Sequence, residues 1–150
     1  MTSGVLSPVP AYLFGTAFLG VGLQAFANPT AAYELFGAPL ASSSPDTVHP
    51  AAAGSGAALS PFLYAKAARD VSIGLAYLLL QRFGTPRAVT ALSAAVAVTG
   101  FVDGWAVWKS GGGGAEAEEQ QAKRKAWSHW IGSAVFTAWV AMRVAKHQQS

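Results

Sequence analysis

No cysteine occurs among the 150 residues, so disulfides, thiolate metal sites and a cysteine nucleophile are all excluded. Charge is nearly as scarce. Asp, Glu, Lys and Arg make up 11% of the chain, less than half the share in an ordinary water-soluble domain, against 52% hydrophobic residues. Residues 1–10 hold no Lys or Arg and so lack the positive start of a cleavable signal peptide; the first apolar segment reads as a retained anchor. The net charge of +3 is spread over segment ends, and its longest basic block is Lys123, Arg124 and Lys125, which excludes nucleic acid as an expected partner.

What is present is a set of long apolar runs. Residues 10–27 are apolar except for Thr16 and Gln24, and Gly15, Gly20 and Gly22 punctuate them. Eighteen residues of helix rise about 27 Å, close to the hydrocarbon thickness of a bilayer, and glycines there permit close helix approach. Asn28 and Pro29 end this helix, and residues 31–37 read as a short one stopped by Gly37. The Ser-, Pro- and Gly-rich stretch that follows reads as a long mobile connection over 38–60, with His49 solvated inside it. A second helix spans 61–83 and turns at Gly84, Thr85 and Pro86. A third spans 87–108, with Gly100 and Gly104 on one packing face. Residues 110–125 read as a mobile Gly-rich loop, carrying Glu116, Glu118 and Glu119 before its basic block; the acid-before-base order suits a short solvated helix. The fourth helix spans 127–145, anchored by Trp127 and Trp130 at its start and by snorkelling Arg143 and Lys146 at its end. The expected fold is therefore all-α: one domain, a four-helix transmembrane bundle running up-down-up-down. The expected location is integral and multi-pass, in an endomembrane such as the endoplasmic reticulum if the cell is eukaryotic. The bilayer is the first expected partner, and a homo-oligomer or membrane partner comes after it. Lys and Arg are nearly balanced between the two faces, with a slight excess on the side of the two loops, which assigns that side to the cytosol.

The stretch 64–80 organises the chemistry. It opens with Lys66, Arg69 and Asp70 at i, i+3 and i+4, on one helix face, and closes in an apolar run. Alternating helices bring the end of the first and third to the same side as the start of the second and fourth. That side collects Gln24, Asn28, Lys66, Arg69, Asp70, Asp103 and His129, and the opposite half receives almost nothing polar. Arg69 and Asp103 lie about five residues inside their helices, roughly 8 Å below the interface. Charges at that depth face the bundle interior, paired or in a wet cavity. A polar pocket is expected, walled by tryptophans among Trp105, Trp108, Trp127 and Trp130.

Two readings of the pocket stand side by side. In one, the membrane protein is an enzyme of isomerase, cyclase or cofactor-free oxygenase type acting on a lipophilic metabolite or lipid. Its catalytic candidates are His129, Asp103, Asp70 and Arg69, because an imidazole beside a carboxylate suits proton transfer near neutral pH. Lys66, Gln24, Asn28, Trp105 and Trp130 are its substrate-binding candidates, although Lys66 also suits snorkelling to headgroups. In the other, Arg69 pairs with Asp103, Asp70 pairs locally, and the protein is a non-enzymatic subunit, assembly factor or lipid-binding module. No metal and no cofactor is expected, since no His-x-x-His or Glu-x-x-His pattern occurs.

The chain resembles the integral-membrane family known as domain of unknown function 4267. The resemblance is carried by residues 64–75 (YAKAARDVSIGL), by Asp103 with Gly104, by His129, Trp130, Ile131 and Gly132, and by the turn at Phe36 and Gly37. It covers roughly residues 10–145 and implies four membrane helices; it brings no established chemistry.

Overall fold

The computed structural model describes residues 7–36, 61–110 and 116–148. They form four long helices and one short one: α1 (Val9–Ala27), α2 (Pro29–Phe36), α3 (Pro61–Phe83), α4 (Pro86–Ser110) and α5 (Glu116–Gln148). The fold is all-α. The expected connection over 38–60, with His49, and the linker over 111–115 lie outside the described residues.

Local chemistry sets the breaks. The Asn28 amide closes α1 on the Gln24 carbonyl at 2.8 Å, while the Asn28 Oδ1 accepts from the Ala31 amide at 3.2 Å and caps α2. Pro29 then occupies the first position of α2, where no N–H is needed. Between α3 and α4, the Gly84 amide donates to the Leu80 carbonyl at 2.9 Å and Thr85 Oγ1 accepts from the Ala88 amide at 3.2 Å.

One expected loop is largely helix. Residues 116–126 continue directly into the fourth helix, which makes α5 33 residues long. Its first eleven residues are all Ala, Glu, Gln, Lys or Arg, strong helix formers with no Gly or Pro among them. Lys123 pairs with Glu119 one turn back and stands 5.7 Å above the Trp108 ring. Ala122 and Ala126 are buried, so this extension is packed on one face rather than solvated all round.

The long helices associate in two close pairs, α1 with α3 and α4 with α5. Each is antiparallel to its partner, because Gly22 of α1 meets Ala67 and Val71 while Gly15 meets Leu78, and Gly100 of α4 meets Ser133 while Thr90 meets Arg143. The first seam depends on missing side chains. A Cβ on Gly74 would sit 2.5 Å from the Leu19 nitrogen and 2.7 Å from the Gly15 carbonyl oxygen. One on Gly22 would meet the Ala67 oxygen at 2.8 Å, whereas Gly20 faces open space. Aromatic packing then joins the two pairs: Phe14 of α1 stands 4.5 Å from Phe136 and 5.2 Å from Trp139 of α5, centroid to centroid. Tyr77 of α3, fully buried in that cluster, donates to Ser93 of α4 at 2.9 Å.

Two of the four helices, α1 and α4, are long and apolar enough to cross a membrane. Helix α3 is diluted by Lys66, Arg69, Asp70 and Arg82, and α5 by its charged first eleven residues.

Substituting Gly74→Leu forces backbone apart and is expected to cost about 3 kcal/mol or more, at the upper end for overpacking. Gly20→Ala should stabilise by up to about 1 kcal/mol through helix propensity alone. Thermal unfolding of the two purified variants checks the contrast; equal midpoints would remove the tight seam from the account.

Candidate functional site

The charged residues of α3 and the aspartate of α4 meet in one ion network. Arg69 grips Asp103 with both arms, Nη1 donating to Oδ1 at 2.9 Å and Nη2 to Oδ2 at 2.8 Å. This is the planar two-point fit for which a guanidinium is suited. The same guanidinium reaches Asp70 Oδ1 through Nε at 3.4 Å and Nη2 at 3.3 Å. Lys66 Nζ lies 3.2 Å from Asp70 Oδ2 and 3.3 Å from Asp103 Oδ2. Among the described residues, two cations and two carboxylates thus close a ring in which the charges cancel. Side-chain exposure rises from 4% at Asp70 through 11% at Lys66 and 17% at Asp103 to 35% at Arg69, so the ring is closed around Asp70 and open at the guanidinium.

The open side is a cleft of about 320 Å³ between the two helix pairs. Its floor is the ion network; its apolar walls include Phe18 and Val21 of α1, Ile73 of α3, Val96 of α4 and Phe136 of α5. Thr99, Ser128, His129 and Ser133 supply the remaining polar lining. Each wall is a helical stripe: 66, 69/70 and 73 on α3, 96, 99/100 and 103 on α4, and 129, 132/133 and 136 on α5. That periodicity is the signal by which Thr99, Gly132 and Ser133 could have been found by extending a stripe from Asp103 or His129.

Of the sequence candidates, Arg69, Asp70, Asp103 and Lys66 form the network, and His129 lines the same cleft. Lys66 does not snorkel, because a carboxylate one turn along its own helix and another on α4 bracket its ammonium. Gln24, Asn28, Trp105 and Trp130 do not line the cleft. Gln24 is exposed on α1, and Asn28 is occupied as the α2 cap. Trp105 is 54% exposed. Trp130 turns toward α4, where its Nε1 donates to the Phe101 carbonyl at 3.2 Å and its ring covers Gly104, at which a Cβ would lie 2.5 Å from that nitrogen. Trp108 and Trp127 pack on Trp130, so these three tryptophans build an outer aromatic patch, and none of the four lines the cleft. Among the described residues, no group of three or more His, Asp or Glu side chains could hold a metal ion.

The other half of the molecule is more polar than expected. Arg143 is 1% exposed: its Nε donates to Thr90 Oγ1 at 2.9 Å, Nη2 donates to the Pro86 carbonyl at 3.0 Å, and its guanidinium carbon lies 4.9 Å from the Trp139 ring centroid. It points inward because it stands 14 residues, nearly four turns, beyond His129 on the same helix face. A snorkelling anchor would need the opposite face.

Fold and site together define an all-α protein of four long helices, two of them apolar enough to cross a membrane, with a charge-balanced cleft between two helix pairs. The profile of the family described as Domain of unknown function (DUF4267) matches residues 15–143, and the chain belongs to that family. No curated protein and no solved structure matches the chain.

Replacing Asp103→Asn leaves two cations facing one carboxylate and is expected to cost about 2 kcal/mol, below the value for a fully sealed pair because Arg69 touches solvent. Adding Arg69→Met should return most of that loss, since Lys66 and Asp70 then remain balanced. Denaturation midpoints of the single and double variants decide this; a double variant less stable than the single one would contradict the charge-balance account.

Proposed function

We propose that this chain is a multi-pass membrane protein whose four long helices form a bundle in the bilayer, and that its cleft binds a lipophilic small molecule. One observation carries the reading: a cleft with apolar walls and a neutralised ionic floor lies inside helices that turn large apolar side chains outward. Leu13, Leu79, Phe83, Phe101, Ile131 and Val135 are all more than half exposed, on each of the four long helices. Soluble monomers rarely present that much contiguous apolar surface, and a bilayer covers it without penalty. The lengths of α1 and α4 suit the hydrocarbon thickness. The charges that dilute α3 are mostly those paired in the network, and six of the eight acidic and basic residues of α5 precede Trp127, with Arg143 and Lys146 near its far end. Past the network and past Trp127 both helices are apolar over most of their remaining length.

Binding has more support than catalysis. Proton transfer needs a carboxylate or imidazole poised to give or take a proton. Both aspartates here accept from Lys66 and Arg69, which ties each carboxylate into the ring. An isomerase, cyclase or oxygenase using them would first have to open the ring. A lipophile-binding module needs no such step; the ring fixes the spacing of α3 and α4 and gives the cleft its polar end.

Gly132 supplies the test, because it lines the cleft and a Cβ there meets nothing within 4 Å. Membranes from expressing cells should retain the protein through alkaline carbonate extraction. In lipid nanodiscs, native mass spectrometry should find a non-covalent lipophilic adduct on the wild type that Gly132→Phe abolishes, with unchanged thermal stability. Release into the alkaline supernatant would overturn the membrane reading, and an equal adduct on both proteins the binding reading.

A further inference from the structure

We infer that the end of the bundle at which α3 turns into α4 binds the headgroup of an anionic phospholipid, with Arg82 and Arg87 as its contacts. The inference rests on the reading of the chain as a membrane protein and is independent of what the cleft holds.

Charge is divided unequally between the two ends of the bundle. Arg82 lies in the last turn of α3, Arg87 in the first turn of α4, and Arg143 and Lys146 near the end of α5. All four belong to one end, because Arg143 Nη2 donates to the Pro86 carbonyl at 3.0 Å. Among the described residues no carboxylate accompanies them. Asp70 precedes Arg82 by twelve residues and Asp103 follows Arg87 by sixteen. Those intervals are about 18 and 24 Å of helix at 1.5 Å per residue. Residues 1–6 and 149–150 hold no Asp or Glu either. The opposite end is mixed: Lys123, Arg124 and Lys125 share the start of α5 with Glu116, Glu118 and Glu119, and Lys123 pairs with Glu119. The positive excess of the chain, +3 overall, is thus carried by the end with the α3–α4 turn.

Helix stability does not account for this cluster. Arg82 and Lys146 suit the C-terminal turns they occupy, but Arg87 sits in the first turn of a 25-residue helix, where a cation opposes the helix dipole. Arg143 is held in the interior on Thr90 and Pro86. Arg82 and Arg87 are exposed and flank Gly84 and Thr85, the two residues between the helices.

The surface around them has the layout of a lipid, charge at the rim and apolar side chains beneath it. Phe83 is 76% exposed and Leu79, one turn below it, 55%. The Arg82 guanidinium carbon stands 5.0 Å from the Phe83 ring centroid. A lipid phosphate at the arginines continues into acyl chains along Phe83 and Leu79, whereas a free phosphate leaves that surface uncovered. The net charge of the head then decides between lipids. A phosphatidylcholine head brings an ammonium that meets no carboxylate among the described residues here. A head with negative charge alone has no such group to place.

Native mass spectrometry of the full chain in a non-ionic detergent, titrated with dioleoyl phosphatidylglycerol or dioleoyl phosphatidylcholine, measures the dissociation constant of the first bound lipid. Phosphatidylglycerol should bind about thirtyfold more tightly, which is the attraction of two surface cations at about a factor of five each. That preference should fall about fivefold in Arg82→Gln and reach near parity when Arg87→Gln is added. Two controls should keep it: Lys109→Gln with Arg124→Gln, both exposed at the mixed end, and Gly132→Phe in the cleft. Inorganic phosphate should not displace the lipid beyond what chloride does at equal ionic strength. Equal affinity for the two lipids in the wild type, or a preference that survives in the arginine variants, would overturn the inference. So would a preference lost in either control, which moves the lipid to the mixed end or into the cleft, or displacement by phosphate. The carbonate extraction separates the two claims. Release from the membrane removes the membrane reading itself, whereas a retained chain indifferent to lipid charge removes this inference alone.

Discussion

Arg69 and Asp103 belong to different helix pairs, and the two-point contact between them, at 2.8 and 2.9 Å, ties one pair to the other. Neither charge is stable alone where it is largely buried, and among the described residues Lys66 and Asp70 complete the pair so that two cations face two carboxylates. The requirement is a strong one on register. Shifting the α4 sequence by one residue against α3 would turn Asp103 about 100° away from the guanidinium and leave two charges, Asp103 and one cation, unmatched. At the far end, the Tyr77 hydroxyl on Ser93 imposes the same register independently, and the Arg143 guanidinium on Thr90 fixes that of α5 on α4. Because α1 and α3 are stitched by glycines, the register of α3 carries α1 with it; α5 follows α4 in the same way.

The cleft is a consequence of this arrangement. Within each pair the helices touch backbone to backbone, at Gly22 and Gly74 in one seam and beneath Trp130 at Gly104 in the other. Between pairs they are held apart, by long ionic side chains at one end and by the rings of Phe14, Phe136 and Trp139 at the other. The ions reach across without filling the space above them, whereas the rings fill theirs. An opening therefore forms over the ions and not over the aromatics.

Much of this was legible from residue order. Glycine, proline and hydrophobic runs placed the helices, and the rule that buried charges seek partners brought Arg69 and Asp103 to one level and offered their pairing as one of two readings. Several side chains were not legible. Lys66 and Arg143 look like long cations near helix ends, where snorkelling is the usual fate, yet both point inward because helix phase, and not distance from the end, decides which face a side chain occupies. The tryptophans near the pocket suggested walls, but Trp130 is drawn to the open backbone at Gly104. The charged segment before Trp127 read as a loop because its composition is polar, although the same residues have high helix propensity.

What residue order alone determined is the inventory: which segments are helical, which chain-distant charges must cancel, and that the chain has too few charges to coat four helices with a polar face. Tertiary structure decided how that inventory is spent. Lone pairs and protons on Thr99, Ser128 and Ser133 are identical on paper, and only the positions of the carbonyls around them consign each proton to the backbone and leave acceptors in the cleft. That assignment depends on distances of a few tenths of an ångström between helices, which composition and spacing do not encode, because a hydroxyl's partner is chosen by three-dimensional proximity and not by its place in the chain.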